Sequence, residues 1–404
     1  MTQRAFPILF ITATRIGDAV LSSGLIKMLA DQIPNARFTI VAGPLAAPLF
    51  AHVPGLDRVI VMEKGKGKGH WFKLWRQVRH KKWSLIVDLR GSATALFLRR
   101  DKRAIWKKVP GEVVHKVVDA ARTLKLEGDP PPPYLYITPE VQALADELLG
   151  LTEGGETGPI LAVGPAANWI GKVWPIERFT QTAAQLLDKD GPMAGGRLLI
   201  LGGPEDTRMV EELRMASARG RTIDLTGKVD LLTAYACLKR ASLFIGNDSG
   251  LMHIAAAAGT PTVGLFGPSD ERRYAPWGEH AVAVRGPRSF DQFLTIDPEL
   301  SQAIRHMSDL PVTTVFKAAK DLLAKVSGTV PSIVSDAVSE AEIVGSTPPA
   351  EPEAMAQTTV DPIEAAPTDA LSDPADEGEA KRPIEDAVEP LKTQRRAARP
   401  RKAR

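Results

Sequence analysis

The sequence contains a single cysteine among its 404 residues, Cys237. One thiol cannot form an internal disulfide, and it cannot build a cysteine-rich metal site. Cys237 lies in the apolar segment AYACLKRA, which indicates buried packing rather than thiol chemistry. The sequence therefore predicts a cytoplasmic protein without a disulfide framework.

Long apolar runs are also missing. No run approaches the ~20 residues that a transmembrane helix needs. The first apolar run lies in MTQRAFPILFITATRIGD, where only Arg4 precedes it and Asp18 soon follows. We therefore interpret this run as a core strand and not as a secretory signal peptide.

Charge is unevenly distributed along the chain. Residues 1–326 carry 42 basic and 33 acidic side chains, whereas residues 327–404 carry 9 basic and 15 acidic ones. The basic body indicates an anionic partner. Residues 327–380 contain no Lys or Arg and are rich in Pro, Ala, Ser and Thr, a composition that cannot offset chain entropy by apolar burial. We predict that 327–404 is a disordered tail with a basic end, either solvated or in contact with a membrane or partner.

Short β-rich runs alternate with helical stretches twice along the chain, which predicts two parallel α/β sheets covered on both faces. We expect two Rossmann-like domains facing a cleft, over residues 1–150 and 151–326, with a flexible connector at 151–158. Among the helices we expect 19–32 and 205–218. The strands are expected at 8–13, 37–42, 59–62, 84–88, 160–163, 197–201, 222–225, 243–245 and 262–266.

The most informative segment, residues 243–270, reads LFIGNDSGLMHIAAAAGTPTVGLFGPSD. It joins a strand to an alanine-rich helix through glycines, which let the backbone approach a ligand closely. The helix N-terminus offers free N–H groups and a positive dipole end to a pyrophosphate. Asp248 would accept hydrogen bonds from sugar hydroxyls, although Asp248 or Ser249 as a simple helix cap is the alternative.

Two more strand-to-helix connections carry candidate residues. The segment GPAANWIGKVWP, residues 164–175, places Lys172 where an ammonium can neutralise a departing phosphate, unless it is an ordinary surface lysine. The segment TRIGDAVL, residues 14–21, lacks the GxGxxG fingerprint of a nicotinamide dehydrogenase. Its Asp18 is a candidate general base, with a helix cap as the alternative.

The three segments IGDAVLSSG, GPAANWIGKVWPIERF and GNDSGLMHIAAAAGTPTVGLFGPSD resemble, in this order and separation, the ADP-heptose:lipopolysaccharide heptosyltransferases of glycosyltransferase family 9. The resemblance covers residues 6–325 and implies the two-domain GT-B fold, with the acceptor in the N-terminal domain and the donor in the C-terminal one. It implies an inverting enzyme without metal or cofactor, which transfers a heptose or related sugar from an ADP-sugar to a lipopolysaccharide-core or other cell-envelope acceptor.

The resemblance also implies roles for single residues. Asp18 is the expected general base, Lys172 the contact to the donor phosphates and Asp248 the contact to the donor sugar. Glu205 would bind the ribose, and His253 is expected to be structural. The residues expected to present the helix N-terminus to the pyrophosphate are Ser249, Gly250, Leu251 and Met252. No Asp-x-Asp follows a strand, which agrees with a metal-independent reaction.

Residues 64–83, KGKGKGHWFKLWRQVRHKKW, mix basic and aromatic side chains, as is typical of proteins on anionic membranes. We expect this segment to bind a lipid-linked saccharide acceptor or the inner leaflet, as a peripheral protein. The residues involved would be Lys64, Lys66, Lys68, Trp71, Trp75 and Arg76. The alternative is a glycine-lysine loop followed by a helix whose aromatic side chains pack inward.

Two other functions stay open at this point. One is a GT-B transferase that uses a different nucleotide sugar, and the other is a non-catalytic nucleotide-sugar-binding scaffold of the envelope pathway. The combination of Asp18, Lys172 and Asp248 argues against a scaffold, which needs none of them. No nucleic-acid partner is expected, because the basic segments belong to no recognised nucleic-acid-binding module.

Overall fold

The computed structural model describes residues 4–63, 69–152, 158–216, 220–300 and 304–329, which all fall within one unit, residues 1–334. Three residues predicted to bind acceptor or membrane, Lys64, Lys66 and Lys68, lie outside the described residues, as do 330–404 of the predicted tail. Residues 327–329, which the sequence assigns to the tail, belong instead to a C-terminal helix.

The first half of the chain forms a parallel sheet. Its strands are β1 (Phe6–Ile11), β2 (Ala36–Ala42), β3 (Leu56–Val61), β4 (Trp83–Asp88) and β5 (Arg100–Ile105), in the order β3-β2-β1-β4-β5. Its helices are α1 (Ile16–Leu21), α2 (Ser23–Gln32), α3 (Gly69–Val78) and α4 (Lys116–Arg122), with 3₁₀ turns at Ala47–Phe50 and Ala93–Phe97. The central strand β1 is buried from residue 8 to residue 11, as expected for a parallel strand covered on both faces.

The second half forms another parallel sheet. Its strands are β6 (Ile160–Gly164), β7 (Arg197–Ile200), β8 (Thr222–Asp224), β9 (Leu243–Asn247), β10 (Thr262–Phe266) and β11 (Ala281–Arg285), in the order β11-β10-β9-β6-β7-β8. Its helices are α5 (Pro139–Leu148), α6 (Ile176–Leu187), α7 (Leu231–Leu238), α8 (Gly250–Ala257), α9 (Glu271–Tyr274), α10 (Phe290–Ile296) and α11 (Val312–Thr329). Three 3₁₀ turns lie at Ile170–Lys172, Pro204–Asp206 and Leu213–Met215.

Two Rossmann-like sheets confirm the predicted α/β fold, but some elements differ from the prediction. The strands β5 and β11 are not predicted; both lie at sheet edges, and in β5, RDKRAI, charged residues mask the strand. The helix expected over 205–218 is wrong, since the described part of that segment contains only 3₁₀ turns and irregular turns. The helix expected over 19–32 is two helices, which meet at Ser22, whose hydroxyl is 2.9 Å from that of Thr12.

The boundary expected at residue 150 stays a prediction. The helix α5 precedes it in the chain but packs on α7, which follows it. Both carboxylate oxygens of Asp146 on α5 accept hydrogen bonds from the guanidinium of Arg240, at 2.7 Å each. Helix α5 is therefore attached to the second sheet.

The two halves meet where α1 contacts α8. A Cβ on Gly250 would lie 2.7 Å from Cγ2 of Ile16, and a Cβ on Gly17 would lie 2.9 Å from Cδ2 of His253. Glycine at both positions thus allows the two helices to approach closely. As a consequence, the segments that follow β1 and β9 face each other. Among the described helices, none is long and apolar enough to cross a membrane.

Gly24 in α2 provides a test of this packing. A Cβ there would overlap the backbone carbonyl oxygens of Pro131 and Pro132. We expect Gly24→Ala to lower the free energy of unfolding by about 2 kcal/mol, because backbone cannot move aside as a side chain can. The control Gly328→Ala, where a Cβ meets nothing within 4 Å, should be neutral or slightly stabilising. Equal denaturant midpoints for the two variants would contradict the described packing of α2.

Candidate active site between the two sheets

The centre of the site is an ion pair between Lys172 and Asp248. Asp248 directly follows β9, and Lys172 ends the 3₁₀ turn that follows β6, so adjacent parallel strands bring the two residues to the same sheet edge. The Lys172 Nζ lies 2.7 Å from Oδ2 of Asp248, whose side chain is buried at 6% exposure. Lys172 is thus paired, and the N-cap position of α8 is Ser249 and not Asp248.

Asn247, which the sequence analysis does not single out, holds the Lys172 segment in place. Its Oδ1 accepts a hydrogen bond from the backbone N–H of Trp174 at 3.1 Å, and its Nδ2 donates to the carbonyl of Pro165 at 2.6 Å. Trp174 is buried, and its Nε1 donates to the carbonyl of Leu310 at 2.9 Å. Asn247 on β9 therefore holds both ends of the segment 165–174 against the second sheet.

The pKa of Asp248 shows how the surroundings act on the pair. Burial by itself would raise the pKa of this carboxyl, but the adjacent Lys172 ammonium outweighs it and holds the pKa below its usual value. The ring of His253 is itself buried, with Nε2 3.8 Å from Oδ1 of Asp248. Burial lowers the pKa of His253 to about 4, so the ring is neutral at pH 7. Asp248 is thus ionised and has Lys172 as its cationic partner.

The N-terminus of α8 lies next to Asp248. Ser249 is the N-cap residue by its extended backbone, but its side chain makes no capping bond. In the part of the chain that the structure describes, its buried hydroxyl has no hydrogen-bond partner. The first N–H groups of a helix have no partner within the helix, so Gly250, Leu251 and Met252 can present them to a ligand. The side chain of Met252 is buried, so only its backbone can take part.

Asp18 lies on the first turn of α1, opposite α8. It does not cap the helix, since the N-cap position is Arg15. Burial raises the pKa of the Asp18 carboxyl above its usual value, and the positive charges of Lys116 and Arg15 only partly offset this effect. The charges of Asp248 and Lys172 also act on it. The three residues that the motifs single out are therefore close enough to interact electrostatically.

Lys116 and Tyr274 also belong to this neighbourhood, although sequence analysis misses both. Lys116 begins α4, and its Nζ lies 3.4 Å from Oδ2 of Asp119. Burial raises the pKa of Tyr274, and the charges of Asp18 and Asp248 contribute to the increase. Neither residue lies in a recognisable motif, so only the folded chain reveals its proximity to Asp18.

His115 fixes the start of α4 to the second half of the chain. Its Nδ1 accepts a hydrogen bond from the backbone N–H of Val117 at 3.3 Å. The proton is thus on Nε2, which donates to the carbonyl of Ala275 at 2.9 Å. The ring also packs on Trp277, with centroids 4.7 Å apart. These contacts position Lys116 relative to the site.

Glu205 and the α3 residues lie farther from the ion pair. Glu205 is exposed in the 3₁₀ turn after β7, a strand adjacent to β6, and a Cβ on Gly203 would be 2.7 Å from its Oε2. On α3, Trp71 and Trp75 are half-buried and Arg76 is exposed. Among the described residues, no group of three or more His, Cys, Asp or Glu side chains is arranged to hold a metal ion.

Two facing Rossmann-like sheets with a site at their strand ends define the GT-B class of glycosyltransferases, and comparison with solved structures agrees. A glycosyl transferase family 9 structure from Veillonella parvula matches with a TM-score of 0.65 and 22% identity, over 80% of this chain and 99% of that one. The Escherichia coli ADP-heptose lps heptosyltransferase II matches with a TM-score of 0.60 and 21% identity, over 80% and 100%.

Sequence comparison gives the family. Lipooligosaccharide heptosyltransferase 2 of Haemophilus influenzae is 27% identical over 323 residues, which are 69% of this chain and 88% of the relative. The model of glycosyltransferase family 9 (heptosyltransferase) matches residues 89–294. The chain belongs to this family and is a glycosyltransferase.

The ion pair can be tested through stability. Lys172→Met leaves the buried Asp248 carboxylate without its counter-ion, so we expect the free energy of unfolding to fall by about 3 kcal/mol. The double variant Lys172→Met/Asp248→Asn removes both charges and should recover at least half of that loss in urea denaturation. The exposed Lys189→Met serves as a control and should change nothing. A single variant as stable as the wild type would show that the pair is not formed.

Proposed function

We propose that the protein transfers a heptose from ADP-heptose to a lipopolysaccharide-core acceptor, with inversion at the anomeric carbon and without a metal ion. We further propose that it works as a peripheral protein on the cytoplasmic face of the inner membrane. The observation that carries the proposal is the Lys172–Asp248 pair beside the α8 N-terminus, opposite Asp18. The similarity to heptosyltransferases of Haemophilus influenzae and Escherichia coli supports the heptose and the lipopolysaccharide acceptor.

The donor would lie at the edge of the second sheet. The α8 N-terminus would bind its pyrophosphate. The Ser249 hydroxyl, which has no partner among the described residues, would be an additional donor. The Lys172 ammonium would balance the diphosphate charge, and Asp248 would accept hydrogen bonds from the sugar hydroxyls. Glu205, at the end of the neighbouring strand, would bind the ribose.

In the transfer step, a hydroxyl oxygen of the acceptor bonds to the anomeric carbon as the bond from that carbon to the diphosphate oxygen breaks. Asp18 takes the hydroxyl proton, and its raised pKa makes it a stronger base than an exposed aspartate. Lys172 and the α8 dipole stabilise the charge that develops on ADP. Base and leaving-group site belong to opposite halves of the chain, so attack from the face opposite the diphosphate is favoured, and the configuration inverts.

The assignment of Asp18 can be tested with Asp18→Asn, which cannot take the proton. We expect kcat to fall by about 10²- to 10⁴-fold in a transfer assay run with EDTA, with ADP binding retained. The product glycoside of the wild type should show, by NMR, the anomeric configuration opposite to that of the donor. The exposed Asp190→Asn is the matched control. A need for divalent cations or retention of configuration would reject the mechanism, and transfer only from uridine or guanosine diphosphate sugars would reject the heptose.

Asp18→Asn, which should lower kcat, is expected to make the folded protein more stable. Because the folded-state pKa of Asp18 lies above the unfolded value, the folded protein holds this proton more tightly, and stability falls as pH rises through that pKa. Asparagine removes this loss. We therefore expect Asp18→Asn to raise the melting temperature by a few degrees at pH 7 and to have no such effect near pH 3. A lower melting temperature at pH 7 would contradict the burial of the carboxylate.

Lys116 should affect the pH dependence of catalysis through the pKa of Asp18. Its positive charge lowers the pKa of Asp18, so Lys116→Met raises that pKa further and leaves less of the carboxylate ionised near neutrality. We expect the acid limb of the kcat profile to move to higher pH, with activity at the alkaline plateau less affected. Lys189→Met should leave the profile unchanged. A limb that moves to lower pH would show that Lys116 does not act on Asp18.

A further inference from the structure

Five apolar side chains form a surface, here called the aromatic surface, that the proposed chemistry does not use. It consists of Trp71, Phe72 and Trp75 on α3 and Leu96 and Phe97 on the 3₁₀ turn Ala93–Phe97. The rings of Phe72 and Trp75 stack with centroids 5.6 Å apart, and Nε1 of Trp75 donates to the carbonyl of Phe97 at 3.1 Å. Helix and turn therefore present one continuous surface.

Three side chains of the aromatic surface are strongly exposed, whereas Trp71 and Trp75 are half-buried and also pack against the core. Phe72 is 65% exposed, Phe97 73% and Leu96 47%. Leu74 and Val78 on the same helix are buried, so α3 already has a face that packs on the sheet. Clustered exposed apolar side chains of this size mark surfaces that bind something else.

Hydrogen bonds hold the exposed turn in its conformation. Nη1 of Arg100 donates to the carbonyls of Leu96 at 3.0 Å and Leu98 at 2.8 Å. At the start of the turn, the Ser92 hydroxyl accepts from the backbone N–H of Thr94 at 3.3 Å. These bonds restrain the backbone on both sides of Phe97.

The charge around the aromatic surface is mainly positive. Residues 69–83 and 89–100 contain eight Lys and Arg and no acidic residue, and two of the eight, Lys81 and Lys82, form ion pairs with Asp57 and Asp101. The guanidinium of Arg79 lies 4.8 Å from the ring centroid of Trp75, and that of Arg90 lies 5.4 Å from the centroid of Trp71. An apolar centre within a basic surround is complementary to a bilayer that contains anionic lipid.

The 3₁₀ turn of the aromatic surface connects β4 to β5, running from the carboxyl end of β4 back towards its amino end, where Trp83 aligns with Arg100. Strand β4, which leads into its 3₁₀ turn, pairs with β1, which leads to Asp18, and Ile11 aligns with Asp88. The Asp88 carboxylate accepts hydrogen bonds from the backbone N–H of Arg90 at 2.9 Å and of Ser92 at 3.0 Å, which fixes the connection. The aromatic surface is therefore anchored on β4, the strand that pairs with the one leading to Asp18.

We propose that the aromatic surface binds an anionic phospholipid bilayer by inserting Phe72 and Phe97 between the headgroups, with the surrounding Lys and Arg on the lipid phosphates. This proposal rests on the proposed function, since it explains how the enzyme reaches a lipid-linked acceptor. The binding partner is the lipid bilayer itself, and the experiment below contains no protein partner.

The test is sedimentation of the full-length protein with vesicles of phosphatidylcholine, with or without about one third phosphatidylglycerol. We expect binding to the anionic vesicles only, weakened when salt rises from about 0.05 to about 0.5 M. Phe72→Ser/Phe97→Ser should lower the partition coefficient at least about tenfold. The matched control is Met215→Ser, an exposed apolar residue outside the surface, which should bind as the wild type does.

A second variant reports insertion directly. Phe97→Cys carrying an environment-sensitive fluorophore should brighten and shift to the blue with anionic vesicles, whereas labelled Met215→Cys should not. The native Cys237 is buried, so labelling is selective for the new thiol. Any of three results would overturn the proposal. The wild type does not bind anionic vesicles, the Phe72→Ser/Phe97→Ser variant binds them as well as the wild type does, or the fluorescence of the probe at position 97 does not change.

Transfer to a detergent-dispersed acceptor separates this proposal from the proposed function. The Phe72→Ser/Phe97→Ser variant should retain this activity, while losing activity on acceptor in vesicles. If the wild type does not transfer heptose in detergent, the proposed heptosyltransferase function is rejected, but the vesicle-binding result is unaffected. Loss of detergent activity in the variant with vesicle binding intact would assign the two residues to the acceptor site and overturn the membrane role.

Discussion

The ion pair between Lys172 and Asp248 is the interaction on which the rest of the site depends. A buried carboxylate without a counter-ion is strongly unfavourable, so the ionised state of Asp248 at the end of β9 depends above all on Lys172, which lies 2.7 Å away. Lys172 reaches that position because β6 and β9 are neighbours in the parallel sheet and because Asn247 ties its segment to β9. The order of the strands thus places the Lys172 ammonium next to the N-terminus of α8.

The two aspartates of the site differ because their surroundings differ. Asp248 has a cation in direct contact, which holds its pKa below the usual value in spite of burial. Among the described residues, Lys116 and Arg15 act on Asp18 through their positive charge, and burial outweighs them and raises its pKa. A carboxylate that stays ionised suits a fixed partner for sugar hydroxyls, whereas one with a raised pKa suits proton transfer. The chain achieves this difference with residues from both halves, which meet through Gly17 and Gly250.

Much of this arrangement follows from the sequence, and the reasons for the rest are physical. Asp18, Lys172 and Asp248 could be predicted because each follows a strand, and parallel strands end at a common edge. Lys116 and Tyr274 could not, since chain folding alone brings them close to Asp18. The exposure of Phe97 could not be predicted from the sequence either, because the triplet Ala-Leu-Phe has the composition of a core segment. The missed β5 has the sequence RDKRAI, in which charge obscures an edge strand.

Calorimetric titration with ADP, in the presence of a chelator, tests the central claim most directly, namely that Lys172 is held beside Asp248 for a diphosphate. The account predicts that the wild type binds ADP without metal and that Lys172→Met weakens binding at least about tenfold, because a charge-assisted contact is lost. Lys228→Met, which removes an exposed lysine of the same half, should bind ADP as the wild type does. Equal affinity of the wild type and Lys172→Met for ADP would contradict the account.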